Sequence, residues 1–117
     1  MKRSNRESDL RLLPAELVQR SLSDREIVLE YADALAALEH LSRADRKLLG
    51  WEGWLRHPDG SAGHSSRHQG TVSLEHLSPS EAVALCRDTI NSAHAAWERD
   101  PEVLGARLYF CLTVAPV

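Results

Sequence analysis

Three histidines and an aspartate lie close together in a segment rich in glycine and serine. They are His57, Asp59, His64 and His68. Imidazole nitrogens and carboxylate oxygens are ligands that Zn²⁺ and related divalent metals accept. The spacing matches no fixed metal-binding motif, and a glycine-rich loop does not hold ligands in place before a metal arrives. A metal-binding protein or hydrolase that uses the loop 57–68 is therefore an alternative hypothesis, beside the simpler interpretation of a solvated polar loop.

Other reactive side chains give weaker signals. Arg56 and Arg67 flank the histidines and suit phosphate binding, but no glycine-rich phosphate loop leads into a helix N-terminus here. The two cysteines, Cys86 and Cys111, lie far apart, and a nucleophilic thiol would need a histidine and an electropositive pocket that the sequence does not reveal. We interpret both as buried free thiols. We predict no catalytic residue and no cofactor.

A set of acidic and aromatic residues falls at alternate positions of predicted strands. On the solvent-facing side of a sheet, these residues would form an acidic surface with aromatic anchors, a composition typical of protein recognition. The leading hypothesis is a small binding protein that acts through this face, either on a basic protein, as an inhibitor or immunity-type protein would, or on itself as a homodimer. The simpler interpretation is a solvated face, or one covered by the N-terminal helix. The predicted partner-binding residues are Glu26, Glu30, Glu52, Trp54, Glu75 and Tyr109.

The overall composition is that of a single globular domain. The chain has 117 residues, of which 26% are charged and 43% hydrophobic, and its net charge is −3. A domain of this length can bury a substantial core, and a negative net charge gives no general attraction to nucleic acid. The sequence has no signal peptide and no apolar run long enough to cross a bilayer. We therefore expect a cytoplasmic protein whose partners are neither nucleic acid nor membrane.

The N-terminal half of the domain reads as helix, strand and helix. Residues 1–9 are charged and polar and are predicted to form a flexible arm before a single domain at 10–117. A proline at the start of a short apolar-periodic segment predicts a helix within 12–20. Residues 25–31 alternate between apolar and polar types, as in a strand with one apolar face. The period changes to that of an amphipathic helix over about 32–46.

Two strands and a long loop follow. Residues 48–57 predict a strand in which only one of Trp51 and Trp54 can face the core, unless a bulge interrupts the alternation. The alternating residues 70–76 predict its partner strand. The two strands would form a hairpin with an overlong, histidine-bearing loop.

The C-terminal part carries the sharpest local signals. Ser78, Pro79 and Glu81 form the pattern of a capping box with proline at the first helical position, so a helix begins there. Its apolar positions step by three and four residues, and Pro101 ends it. Residues 106–114 form the strongest predicted strand, because β-branched, aromatic and leucine residues dominate it.

These elements predict an α+β fold with a ferredoxin-like β-α-β-β-α-β order, preceded by a short N-terminal helix. Right-handed crossovers would place both helices on one face of a four-stranded antiparallel sheet and leave the other face uncovered. In that arrangement the first and third strands are central. Since they carry Glu26, Glu30 and Glu75, RNA recognition by interleaved aromatic and basic residues is disfavoured.

Overall fold

The computed structural model describes residues 9–70 and 74–116. After a helical turn at residues 9–11, the described chain forms helices and strands of very different lengths. They are α1 (Ala15–Arg20), β1 (Ile27–Leu29), α2 (Tyr31–Arg43), β2 (Leu48–Arg56), β3 (Ala62–His64), α3 (Pro79–Arg99) and β4 (Arg107–Val114). The predicted α+β class is confirmed. The predicted flexible arm lies almost wholly outside the described residues.

The four strands form one antiparallel sheet in the order β1-β4-β2-β3. The ferredoxin-like arrangement is therefore not confirmed, because β4 and β2 are central and β1 lies at an edge. The central place of β4 follows from its composition, since its apolar residues Leu108, Phe110 and Leu112 are buried against the helices while Tyr109 and Cys111 are buried on the other side. A strand that is buried on both faces is favoured between two neighbouring strands, where its backbone N–H and C=O groups are hydrogen-bonded on both edges.

The partner strand of β2 is not the predicted segment 70–76. It is β3, which begins six residues after β2 ends, and residues 74–77 form a turn while 71–73 lie outside the described residues. A tight turn around Asp59 explains the difference. The Asp59 Oδ1 atom accepts hydrogen bonds from the backbone N–H and the hydroxyl of Ser61, and the His57 N–H donates to the Ser61 carbonyl. Pro-Asp-Gly is a strong turn sequence, and it closes the hairpin locally.

The helices α2 and α3 pack against one face of the sheet. Their buried residues, such as Leu38 and Ile90, share a single cluster with Trp51, Phe110 and Val114 of the central strands. The capping box that starts α3 is confirmed, with reciprocal hydrogen bonds between Ser78 and Glu81. Both helices therefore lie on the same side of the sheet.

Strict alternation along β2 separates its two tryptophans. Trp51 and Leu55 face the helices, and the Trp51 Nε1–H donates to the Thr89 hydroxyl at 2.8 Å. Trp54 packs on the cluster of the opposite face. A bulge lies between Leu48 and Gly50, before the tryptophans, so the alternation predicted for the two tryptophans is kept.

The segment 65–70 leaves β3 and folds back over the helix side of β2. The Gly53 N–H donates to the His68 carbonyl at 2.7 Å, and an added Cβ on Gly53 would lie 2.5 Å from that oxygen. Gly70 has a φ of +72° and lies so close to the Trp51 indole that any side chain would overlap the ring. Glycine is required at both places for the chain to approach so closely.

The described part of the N-terminal segment packs on the helix side. Leu10, Leu13 and Leu17 belong to the cluster formed by the helices. The following loop borders the outer edge of β1, where the Leu22 N–H donates to the Val28 carbonyl. The described N-terminal helix therefore does not cover the opposite face of the sheet. Among the described residues, no helix is both long and apolar enough to traverse a bilayer.

Candidate functional site

The sheet face opposite the helices carries a second, smaller apolar cluster. Val28, Tyr109 and Cys111 are buried there, and Leu22 and Trp54 are partly buried against them. All of the buried helix residues among those described belong to the other cluster. We call this side of β1, β2, β3 and β4 the open face because no described helix packs on it; its central residues Val28, Tyr109 and Cys111 are nevertheless buried, and Trp54, Glu52 and His64 are its more exposed members.

The registers of the strands arrange the open face in rows that run across the sheet. Val28, Cys111 and Glu52 are neighbours in one row. The next row holds Tyr109, Trp54 and His64, and the row after it pairs Arg107 with Arg56. The open face therefore changes along the strands. Its acidic end carries Glu52, its centre carries the aromatic residues, and its basic end carries Arg56 and Arg107.

Cys111 lies at the acidic end, between Glu52 of β2 and Glu26, which directly precedes β1. Its Sγ atom is 3.7 Å from Oε2 of Glu26, to which the thiol donates, and Glu52 is its cross-strand neighbour in β2. Burial raises the pKa of Cys111, and the negative charges of Glu26 and Glu52 raise it further, to about 12. The thiol is therefore protonated at neutral pH and does not act as a nucleophile. Cys86, in the other cluster, has its pKa raised to about 11 by burial.

His64 lies on the open face, beside Glu52 and Trp54. Its Nδ1 atom is 3.6 Å from Oε1 of Glu52, and its ring centroid is 5.2 Å from that of Trp54. The His64 side chain is 62% exposed and that of Glu52 is 40% exposed. These contacts place an exposed imidazole in the aromatic row, on the side that faces Glu52.

The basic end contains one paired and one unpaired arginine. The Arg107 Nε atom is 3.1 Å from Oε2 of Glu30, which neutralises both charges. Arg56 is exposed, and within residues 9–70 and 74–116 it has no ion-pair partner. Arg56 is thus the charge that this end presents to solvent.

Trp54 is the partly exposed aromatic residue at the centre of the open face. Its Nε1 atom is buried, and no atom of the described chain accepts a hydrogen bond from it. A buried donor without an acceptor destabilises a fold by about 1–3 kcal/mol.

The four residues of the metal-site hypothesis lie in three different environments. His57 and Asp59 belong to the hairpin turn, and hydrogen bonds from Ser61 lower the pKa of Asp59. His64 lies on the open face, whereas His68 is buried on the helix side, with its ring centroid 6.2 Å from that of Trp97. In the described ranges, no group of three or more His, Cys, Asp or Glu residues has the geometry to hold a metal ion.

The segment around His68 is held by a carboxylate that is distant in sequence. Glu102 accepts hydrogen bonds from the hydroxyls of Ser65 and Ser66, at 2.6 and 2.8 Å, and from the N–H groups of Ser66 and Arg67. Burial opposes ionisation of Glu102, but the hydrogen bonds outweigh it and lower its pKa to about 2. Ser65 is fully buried and committed to Glu102, which leaves it unsuited to nucleophilic catalysis.

Five of the six predicted partner-binding residues have places on or beside the open face: Glu26, Glu30, Glu52, Trp54 and Tyr109. Glu75 lies instead in the turn at 74–77, where its carbonyl accepts a hydrogen bond from the Lys47 side chain at 2.9 Å. His64 and Leu22 also belong to this surface, although neither was predicted as a member of it. The tight Pro-Asp-Gly turn was the signal that would have placed His64 beside Trp54.

The sheet order also changes one argument about nucleic acid. On the open face the central strands carry Glu52, Trp54, Arg56, Arg107 and Tyr109, whereas Glu26 and Glu30 flank the edge strand β1, so the predicted composition of the central strands was wrong. Base stacking would nevertheless need exposed rings, and Tyr109 is only 6% exposed. Arg107 is also paired with Glu30.

Comparison of the chain with protein-family models, with curated proteins and with solved structures finds no match.

Proposed function

We propose that this protein is a small binding protein that recognises another protein chain through the open face. The observation that carries the proposal is the apolar cluster around Trp54 on the side of the sheet opposite the helices. Aromatic residues framed by polar groups provide most of the binding energy in many interfaces. Trp54 has this setting, since Glu52 and Arg56 lie on either side of it along β2.

The charges of the open face specify what a partner must bring. Within the described chain, Glu26 and Glu52 have no Lys or Arg partner, and His64 is the one basic side chain close to Glu52, so a cationic group of the partner would be complementary to the acidic end. Arg56 at the other end needs an acidic group. A partner that is basic throughout, as expected for the target of an inhibitor or immunity-type protein, would repel Arg56. The open face therefore favours a partner of mixed charge.

The proposal is tested by affinity capture from the native cell with immobilised protein. Trp54→Ala removes the aromatic anchor, and Glu52→Lys reverses the charge of the acidic end. The matched control is Ala95→Lys, on an exposed position of α3. We expect both open-face variants to lose at least about tenfold of the partner that wild type retains, because an anchor residue contributes about 2 kcal/mol or more. Equal retention by all four proteins would contradict the proposal.

A further inference from the structure

We propose that the partner of the open face is a second copy of this chain, related to the first by a twofold axis that passes over Trp54. This inference rests on the proposed function and names its partner. The outward-facing residues of β2 are Glu52, Trp54 and Arg56, so opposite charges lie at equal distances on either side of the tryptophan. This order of charges along β2 is complementary to the same order read in the opposite direction.

The geometry of the strand sets the spacing. Residues on one face of a strand recur every two positions, or about 7 Å, so Glu52 and Arg56 each lie about 7 Å from Trp54 along β2. A twofold axis that lies between two facing sheets, perpendicular to the strands and above Trp54, exchanges these two positions. Glu52 of each copy then faces Arg56 of the other, and two ion pairs flank the axis.

The charges select this orientation over the other face-to-face arrangement. With a twofold axis parallel to the strands, the acidic end containing Glu26 and Glu52 would face the same acidic end of the second copy. Opposed like charges are destabilising. Glu30 directly follows β1, and the register of β1 with β4 continues to place it beside Tyr109, in the row over which the perpendicular axis passes. Glu30 would therefore face its own copy, but its 3.1 Å contact with Arg107 offsets its charge.

The centre of the interface would be aromatic. Trp54 and His64 lie in the row over which the axis passes, and their ring centroids are 5.2 Å apart. Each pair would meet its symmetry copy, and aromatic rings in tilted or offset contact stabilise an interface beyond their buried area. Two antiparallel sheets pack face to face at about 10 Å, which leaves room for these side chains.

The test is sedimentation equilibrium of the full chain at low and high salt. Wild type should dimerise, and more weakly at high salt because the flanking ion pairs are screened. Glu52→Arg and Arg56→Glu should each weaken the dimer at least about tenfold, since each change places two like-charge pairs in the interface. Neither residue is part of the buried core, so both variants should fold, as thermal unfolding would verify.

The two single variants together provide the sharpest result. When they are mixed, the arginine introduced at position 52 of one variant can face the glutamate introduced at position 56 of the other. At the second contact, the unchanged Arg56 of the first variant can face the unchanged Glu52 of the second. The mixture should therefore form a heterodimer that is more stable than the homodimer of either variant. The double variant Glu52→Arg, Arg56→Glu should dimerise like wild type. Ala95→Arg on α3 is the control and should leave dimerisation unchanged.

A monomeric wild type, or a dimer unaffected by the charge reversals, would overturn the second-copy inference. If such a monomer still captures a different protein in a Trp54-dependent manner, only the identity of the partner is wrong. If the monomeric wild type and the Trp54→Ala variant capture the same proteins, the proposed function fails as well.

Discussion

The thiol of Cys111 donates a hydrogen bond to the carboxylate of Glu26, with 3.7 Å between Sγ and Oε2, on the face of the sheet opposite the helices. Glu52 flanks the same thiol from the other neighbouring strand. This arrangement keeps a neutral sulfur between two negative charges. Apart from the 3.6 Å contact of His64 with Glu52, no basic side chain of the described chain forms an ion pair with these two carboxylates.

The first prediction concerns the reactivity of this thiol. Replacing Glu26 and Glu52 by glutamine removes the negative charges that raise the pKa of Cys111, so the pKa should fall and alkylation by iodoacetamide should become faster at mildly alkaline pH. Cys86 is an internal control, because burial alone raises its pKa. Mass spectrometry of each labelled cysteine measures both rates. Equal acceleration of the two thiols would indicate loosening of the fold and would contradict the electrostatic explanation.

His68 should make stability depend on pH. Burial lowers its pKa below the ordinary value of 6.5, an effect that Glu102 opposes and Arg67 reinforces. The unfolded chain therefore binds the proton more tightly than the folded chain. The contribution of neutral His68 to the free energy of unfolding is complete above pH 6.5, and it is lost as the pH falls from 6.5 through the lower pKa of the folded protein. Urea unfolding between about pH 8 and about pH 5 should show this loss.

The matching variant is His68→Leu, which keeps a side chain of similar size without a titrating group. Its free energy of unfolding should fall less than that of wild type as the pH is lowered from 6.5 to about 5. Ala95→Gln, at an exposed position of α3, is the control and should retain the wild-type pH dependence. A His68→Leu protein with an unchanged pH profile would show that His68 is not the group responsible.

Several parts of this structure follow from local sequence, and the parts that do not follow depend on distant residues. The start of α3 was predictable because Ser78 and Glu81 satisfy each other within one helical turn. The opposite orientations of Trp51 and Trp54 follow from alternation along one strand. The position of β3 differs from the prediction because the turn beside Asp59 closes the hairpin before the alternating residues 70–76 are reached.

The contact between Glu102 and the segment 65–67 had no signal in the sequence. Ser66 and Glu102 are separated by 36 residues, and nothing in a single sequence pairs a loop carboxylate with a distant pair of serines. The sheet order could not be predicted for the same reason. Whether β4 lies beside β1 alone or between β1 and β2 depends on which buried surfaces meet in three dimensions, and the local pattern of each strand is the same in both cases.

The contact of Glu102 should stabilise the segment that covers the helix side of β2. Glu102→Gln removes the negative charge that accepts four hydrogen bonds, and it should lower the free energy of unfolding by about 1–2 kcal/mol, allowing for screening by water. Hydrogen exchange of the Gly53 amide should also become faster, because its acceptor is the His68 carbonyl. Asp100→Asn, at a side chain that is 81% exposed, is the control and should change stability by less than about 0.5 kcal/mol.

Protonation of Glu102 should also lower the free energy of unfolding in acid. Its pKa in the folded protein is about 2, below the ordinary value of 4.5, so its contribution is complete above pH 4.5 and is lost as the pH falls toward 2. Wild type should lose more stability over this range than Glu102→Gln. Parallel acid titrations of the two proteins would refute the assignment.

Two glycines with positive φ should differ sharply in their tolerance of alanine. Gly60→Ala introduces only backbone strain, because nothing lies within 4 Å of the new Cβ, and should destabilise by roughly 1 kcal/mol. Gly70→Ala adds overlap with the Trp51 indole and should destabilise by about 3 kcal/mol. Thermal unfolding of the two variants measures the difference. Equal destabilisation would mean that the segment 65–70 does not pack against Trp51.

Photo-crosslinking in the native cell tests most directly whether the open face is the binding surface. A photoreactive phenylalanine analogue would replace Trp54 in one protein and Ala95, on the helix side, in another. We predict a discrete crosslinked protein, either a second copy of the chain or another partner, from position 54 and none from position 95. A crosslinked partner from position 95 alone, or from neither position, would contradict the assignment of binding to the open face.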